Sequence, residues 1–314
     1  MVPLVRSMLL LLVVAARAEA QSSPPLEVMV LGSGGPRPSD RASTGNLVLV
    51  GGKARLLVDA GAGTLLRAGE QNLDLSSLDS ILLTHLHIDH SAEVAAFVKA
   101  RALGGQGSVK IRLFGPMGNT LFPSAKQWSE GLFGAAGLYK YVRNFGAETH
   151  VLAENVPSTR GAIGQKRELE PGLWLLTMGL HHGDAPAVGY RLESEGRSVV
   201  FAGDIDPTGL PALERLARGA DLLVVSCAVL DPPGSPEALY ERHSPPRLLA
   251  ETAARASVGA LLLTHLPPAV FTKMGEVETS VRKGFSGPVT FATDGLRVEV
   301  ARPASPVSTP KNPP

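Results

Sequence analysis

Among 314 residues there is a single cysteine, Cys227. No intramolecular disulfide can form, so packing alone must hold the fold. Cys227 lies in the apolar run 221–230, where a thiol is a small buried hydrophobe with no basic neighbour to activate it. An excess of one charge is missing too. Thirty lysines and arginines face 29 aspartates and glutamates, a formal net charge of +1. That excludes a strongly basic protein that coats nucleic acid through bulk charge, though not a local basic groove. The apolar run 8–16 (MLLLLVVAA) is too short to cross a bilayer, so no transmembrane segment is expected.

The same run reads as the core of a secretory signal peptide. Arg6 supplies the positive flank, and Ala18-Glu19-Ala20 gives the small-x-small cleavage pattern before Gln21. No cysteine follows the run, which argues against a lipid anchor. The expected location is therefore periplasmic or secreted. Losing 1–20 removes Arg6, Arg17 and Glu19 and leaves 28 basic and 28 acidic residues.

What is present reads as globular: 44% hydrophobic and 19% charged residues, with 34 glycines and 25 prolines falling in bursts between apolar runs. One domain over 21–302 is expected, followed by a Pro- and Ser-rich disordered tail at 303–314. Short apolar runs at 26–31, 46–50, 55–58, 80–84, 109–114, 173–178, 188–192, 198–201, 222–225 and 260–263 predict strands, with 289–291 and 296–300 closing the domain. Helices are predicted over 63–70, 91–102, 210–218 and 246–256, with Ser91 and Ser244 as N-caps. Alternating strands and helices point to an α/β sandwich. A weak internal echo, Leu82-Leu83-Thr84-His85-Leu86 against Leu262-Leu263-Thr264-His265-Leu266, twice ends an apolar strand at a histidine.

The strongest signal is His85-Leu86-His87-Ile88-Asp89-His90, four metal-binding side chains in six residues. Imidazoles and a carboxylate suit zinc and its neighbours. Alternation along an extended loop aims His85 and His87 the same way, while Asp89 and His90 are placed for a second ion about 3.5–4 Å off. A lone histidine is more often structural; a surface loop has no packing reason to hold this cluster.

Here the chain resembles the metallo-β-lactamase superfamily across most of 26–300, which implies a four-layer αββα sandwich. Asp59 before the motif, His182 in His182-Gly183-Asp184, Gly203-Asp204 and His265 follow in the family's order. The resemblance implies one divalent ion held by His85, His87 and His182. A second would be held by Asp89, His90 and His265, with Asp204 between them. Zinc is the first expectation, with manganese or iron open to the same donors. His181 is the rival to His182, and spacing to Tyr190 favours His182. Asp184 reads as a turn residue, and His150 as a solvated loop residue.

Such a pair of ions activates water as hydroxide and polarises an ester-like bond, so the expected activity is hydrolysis without a protein nucleophile. Within the superfamily the chain is most similar to the ribonuclease Z and phosphodiesterase branch, through Leu31-Gly32-Ser33-Gly34 and through His243-Ser244 before a helix. Asp89 and His243 are the expected catalytic side chains. Two features depart from ribonuclease Z: 22 positions separate His182 from Asp204, too few for the long arm of those enzymes, and Cys227-Ala228 stands where many relatives have Glu-Ala. The segment 99–167 is a candidate substrate cap, with ten lysines and arginines against three glutamates and seven of the fifteen aromatics. The expected substrate is a small anionic ester such as a cyclic nucleotide, with no stable nucleic-acid partner. Lactonase, arylsulfatase and β-lactamase activities are the alternatives, with non-catalytic metal binding behind them. The oligomeric state stays open, a dimer included.

Overall fold

The computed structural model describes residues 25–105 and 107–301. The leader expected over 1–20, the start at Gln21 and the tail over 303–314 lie outside the described residues.

Seven strands form the first sheet: β1 (Leu26–Gly32), β2 (Gly45–Val50), β3 (Lys53–Ala60), β4 (Ser80–Leu82), β5 (Ser108–Pro116), β6 (Glu148–Val156) and the last strand, β14 (Arg297–Glu299). The second sheet holds β7 (Arg167–Glu170), β8 (Leu173–Gly179), β9 (Val188–Ser194), β10 (Arg197–Phe201), β11 (Leu222–Ser226), β12 (Ala260–Thr264) and β13 (Val289–Phe291). The helices are α1 (Thr64–Glu70), α2 (Ile88–Ser91), α3 (Val94–Leu103), α4 (Ala125–Phe133), α5 (Leu210–Leu216), α6 (Glu237–Tyr240), α7 (Pro246–Arg255), α8 (Pro268–Phe271) and α9 (Met274–Arg282).

The period-2 alternation of the strands decides the layers. Leu26, Val28 and Val30 of β1 face Leu175, Leu192, Val199 and Phe201 of the other sheet. Met29 and Leu31, one step out of phase, face Phe97 and Val98 of α3. In the second sheet Val200, Leu223 and Leu263 pack against Leu213 of α5, Leu249 of α7 and Val277 of α9. Both faces of each sheet are covered, which is the αββα sandwich. Each fully buried leucine or valine contributes about 1.5–3 kcal/mol over an exposed one. Tyr190 is fully buried between the sheets, and its hydroxyl donates to the Leu83 carbonyl at 2.7 Å.

Strands β3 to β6 run parallel to one another, as do β10 to β13. Parallel pairing places carboxyl ends along one edge, where α/β sheets collect ligands. Both copies of the Leu-Leu-Thr-His echo end there, after β4 and after β12.

Several local expectations are corrected. The helix predicted over 91–102 is α3, which starts three residues later at Val94, while Ser91 ends the separate turn α2. Ser91 does not cap; its hydroxyl donates back to the His87 carbonyl at 3.0 Å. Glu93, between the helices, instead caps α1, accepting from the amides of Gly63 (2.8 Å) and Leu65 (2.7 Å). Helix α7 is capped by Pro245, and the Ser244 hydroxyl is buried without a partner. His150 is not in a loop: it lies in β6 opposite Lys110, paired with Glu148 at 3.2 Å.

The cap-like segment 99–167 is largely the outer edge of the first sheet, because Val109, Ile111 and Leu113 are fully committed to its core. Its cations are widely engaged: Arg112 pairs with Asp79, Arg167 with Glu154, and Lys99 lies over Tyr141 and Phe145. Among the described residues no helix is long and apolar enough to cross a membrane.

Candidate metal centre

The structure brings the sequence-predicted residues to the shared edge of the sheets. Four groups of donors each lie within 4.8 Å: His85, His87 and His182; His85, His90 and Asp204; Asp89, His90 and His265; His182, Asp204 and His243. Asp204 stands between the histidine sets. Its carboxylate lies 3.6 Å from His90 Nε2, 3.6 Å from His182 Nε2 and 3.5 Å from His265 Nε2. Asp89 Oδ2 lies 3.2 Å from His265 Nε2 and 3.6 Å from His90 Nε2.

The surrounding hydrogen bonds fix which ring nitrogen faces inward. Thr84 donates its hydroxyl to Asp59 Oδ2 at 2.8 Å, so it can only accept from His85 Nδ1, 3.1 Å away. Asp59 also accepts from His90 Nδ1 at 2.9 Å, and the Arg242 carbonyl accepts from His182 Nδ1 at 2.7 Å. Each of these rings therefore turns its Nε2 to the centre, the usual support of a metal-ligating histidine; without a cation there, and against burial, Asp204 and Asp59 hold His90 well above the usual imidazole range.

A divalent cation fits these residues on three observations. His85 Nε2 and His87 Nδ1 converge to 3.0 Å, and His182 joins them in one donor group. His90 Nε2 and Asp204 Oδ1 are buried without a hydrogen-bond partner. Burial holds the His85, His87 and His182 rings below the usual imidazole range, keeping them neutral. Burial would raise Asp204, yet His265 and His90 outweigh it and hold the carboxyl well below the usual range. Neutral imidazoles and an ionised carboxylate are what metal binding needs.

Backbone geometry is unusual where these groups converge. Asp59 and His265 carry φ of 59° and 53°, strained for non-glycine residues. Gly203, just before Asp204, has φ of 61°, and a Cβ there would sit 2.5 Å from Thr84 Oγ1.

His181 stands outside the donor groups. Its Nδ1 lies 2.5 Å from Asp206 Oδ2, and Asp206 also accepts from the Gly183 amide at 2.9 Å, which ties down the loop that carries His182. Asp184 sits in the turn closed by the Ala185 amide on the His182 carbonyl at 3.1 Å. His243 is mostly buried, its Nδ1 unpartnered and 3.8 Å from Asp204 Oδ2. Burial pushes its pKa below the usual value. The Cys227 thiol is pushed up to about 12 by burial, so it is no nucleophile.

Two pockets open on the centre. One of about 550 Å³ runs from His243 and His265 along Pro36, Pro236, Leu239 and Pro267. Another of about 240 Å³ lies beside His87 and His182, walled by Leu121, Phe122 and Arg242. Sequence reasoning missed Thr84 and Arg242 as site residues and held Phe122 only as one of the seven aromatics of the 99–167 segment. The Thr-His pair repeated after β4 and β12 was a usable signal for Thr84; nothing local marks Arg242.

Histidine-rich donor sets around one buried carboxylate, at the carboxyl edge of an αββα sandwich, define a class: metal-dependent hydrolases of the metallo-β-lactamase fold. The model of the Beta-lactamase superfamily domain matches residues 54–266. Ribonuclease Z of Mycobacterium bovis (strain BCG / Pasteur 1173P2) is 33% identical over 285 residues, covering 88% of this chain and 98% of that protein. Among solved structures, the metallo-beta-lactamase fold protein YhfI from Bacillus subtilis matches with a TM-score of 0.67 at 22% identity, over 88% of this chain and 99% of that one. Human tRNase Z, short form, matches equally well at 20% identity, with a TM-score of 0.67 over the same 88% and 99%. The chain belongs to the β-lactamase superfamily, on the branch of ribonuclease Z.

That relationship overturns the expectation of no stable nucleic-acid partner, since relatives aligned over 88% of this chain are ribonucleases. The physical error is one of range. A net charge near zero speaks against coating a long polyanion, but gripping a short RNA end takes only a few phosphate contacts.

Proposed function

We propose that the protein is a phosphodiesterase that cleaves nucleotide phosphodiesters at two divalent ions. His85, His87 and His182 would hold one ion, Asp89, His90 and His265 the other, with Asp204 shared. Zinc suits the nitrogen and oxygen donors best, and manganese or iron would also be accepted. When bound, the pair supplies Lewis acidity and a source of hydroxide at neutral pH.

The observation that carries the reading is His243. It is a further imidazole at the centre, beyond two complete donor sets, and a lactone or lactam hydrolase has less use for it. Its Nδ1 is placed to hold a proton for an alkoxide leaving group. Asp89, beside His265 and mostly buried, orients the attacking water as well as serving as a donor. The pocket of about 550 Å³ along Pro36 and Pro236 gives the departing or retained nucleoside an apolar wall.

The finer reading is a small substrate such as a cyclic nucleotide. The chain between His182 and Asp204 is taken up by the β9–β10 hairpin, which leaves no length for an extended arm. The ribonuclease Z relatives favour a second reading, the single-stranded end of an RNA. Export through the leader at 1–20 belongs with the small-substrate reading.

A substrate panel tests this: bis-p-nitrophenyl phosphate, cyclic AMP, a short RNA with a 3′ extension, a homoserine lactone, an aryl sulfate and nitrocefin. The phosphodiesters should show the highest kcat/KM. Faster turnover of the lactone, sulfate ester or nitrocefin would overturn the reading.

A further inference from the structure

We infer that the pocket of about 240 Å³ beside His87 and His182 is a nucleotide subsite, in which Phe122 carries a base and Arg242 grips an adjoining phosphate. The inference rests on the phosphodiester reading and adds the part of the substrate that the metal centre does not touch.

Phe122 stands edge-on to His87, ring centroids 5.5 Å apart, so a base against it lies next to the centre. Its loop is fixed rather than adaptable. Asn119 Oδ1 accepts from the amides of Leu121 (2.9 Å) and Phe122 (2.8 Å), while Asn119 Nδ2 donates to the Asp184 carbonyl at 2.9 Å. The aromatic wall and the turn that carries His182 are therefore one unit. Leu121 beside it is 69% exposed, an apolar side chain left on the pocket rim.

Arg242 joins the same unit from the other side. Its carbonyl orients His182, as described above, and its side chain lies across Gly183. A Cβ at Gly183, where φ is 53°, would come within 3.0 Å of Arg242 Cγ, so glycine both makes the turn and gives the arginine its path. Among the described residues no acidic group forms an ion pair with the Arg242 guanidinium, although Asp184 lines the same pocket. A guanidinium without a carboxylate partner, at the mouth of a site for phosphate esters, matches a phosphate's oxygens by its planar fork. An aromatic face beside a cation is the recurring platform for a nucleotide in single-stranded form. A simple phosphate diester without a base would use neither.

Equilibrium dialysis of the metal-loaded full chain against 5′-AMP and inorganic phosphate tests this directly. Wild type should bind 5′-AMP roughly tenfold or more tighter than phosphate; Phe122→Ala should remove about tenfold of that preference, and Arg242→Ala should weaken both ligands about tenfold. Arg242→Lys, which keeps charge but loses the fork, should fall between. Lys110→Ala, which removes an exposed cation on β5, should keep the preference. Unchanged metal content in each variant shows that His182 is still held. Equal affinity of wild type for 5′-AMP and phosphate, a full preference in Phe122→Ala, or wild-type affinities in Arg242→Ala, overturns the subsite. Wild-type turnover of methyl p-nitrophenyl phosphate, which carries no base, reports separately on the reaction. Turnover there without a 5′-AMP preference removes the subsite alone; a preference without turnover removes the reaction and leaves the subsite standing.

Discussion

His243 carries the proposal of phosphodiester chemistry over the other reactions of this fold. It neighbours Asp204 as a ligand would, but the two donor sets are complete without it. His243→Ala should therefore keep both ions and the fold while losing roughly 10²–10⁴ in kcat on phosphodiesters, the usual contribution of a positioned acid. The loss should shrink with a p-nitrophenolate leaving group, which needs no proton. Wild-type kcat on good and poor leaving groups alike would remove the acid role. The adjacent histidines His181 and His182 give a second test. His182 faces the centre and His181 faces Asp206, so His182→Ala should lose bound metal by elemental analysis, and His181→Ala should lose far less. The reverse order would refute the assignment. Most of this site was legible in the sequence because ligands cannot be substituted by similar shapes. Arg242 was not, and Phe122 was only one of seven cap aromatics, because aromatic and cationic side chains occur widely on surfaces and only the fold shows which ones meet.

Strands and helices were legible to different degrees for physical reasons. The strands that end at Asp59, His85, Asp204 and His265 are buried on both faces and read as plain apolar runs. Strand β6 went unpredicted because it is an edge strand, half-exposed, with charged and polar residues along it. Helix α4 did carry a signal, the capping box of Ser124 with Gln127, three residues apart before an amphipathic stretch. The later start of the helix predicted at 91–102 was hidden because Glu93, just before α3, reaches across to α1. Between the sheets, Tyr190 is the polar tie that holds β9 to the end of β4, just before His85. Tyr190→Phe would leave the buried Leu83 carbonyl unpaired and should cost about 1–3 kcal/mol. A denaturant midpoint equal to wild type would show that the bond contributes nothing.

For the whole molecule, the leader proposed at 1–20 makes a simple prediction. Expressed with it in a secreting bacterial host, the protein should be recovered outside the cytoplasm with an N-terminus at or near Gln21, by N-terminal sequencing. Exported protein that retains Met1 would contradict cleavage.

The two-ion reading is decided by stripping metal with a chelator and returning zinc one equivalent at a time, with bound metal and bis-p-nitrophenyl phosphate turnover read on the same samples. The stripped chain should be inactive, binding should saturate near two ions per chain, and turnover should reach its maximum only as the second fills. Full turnover in the stripped chain, or saturation at two ions with no return of turnover, would contradict a metal-dependent phosphodiesterase.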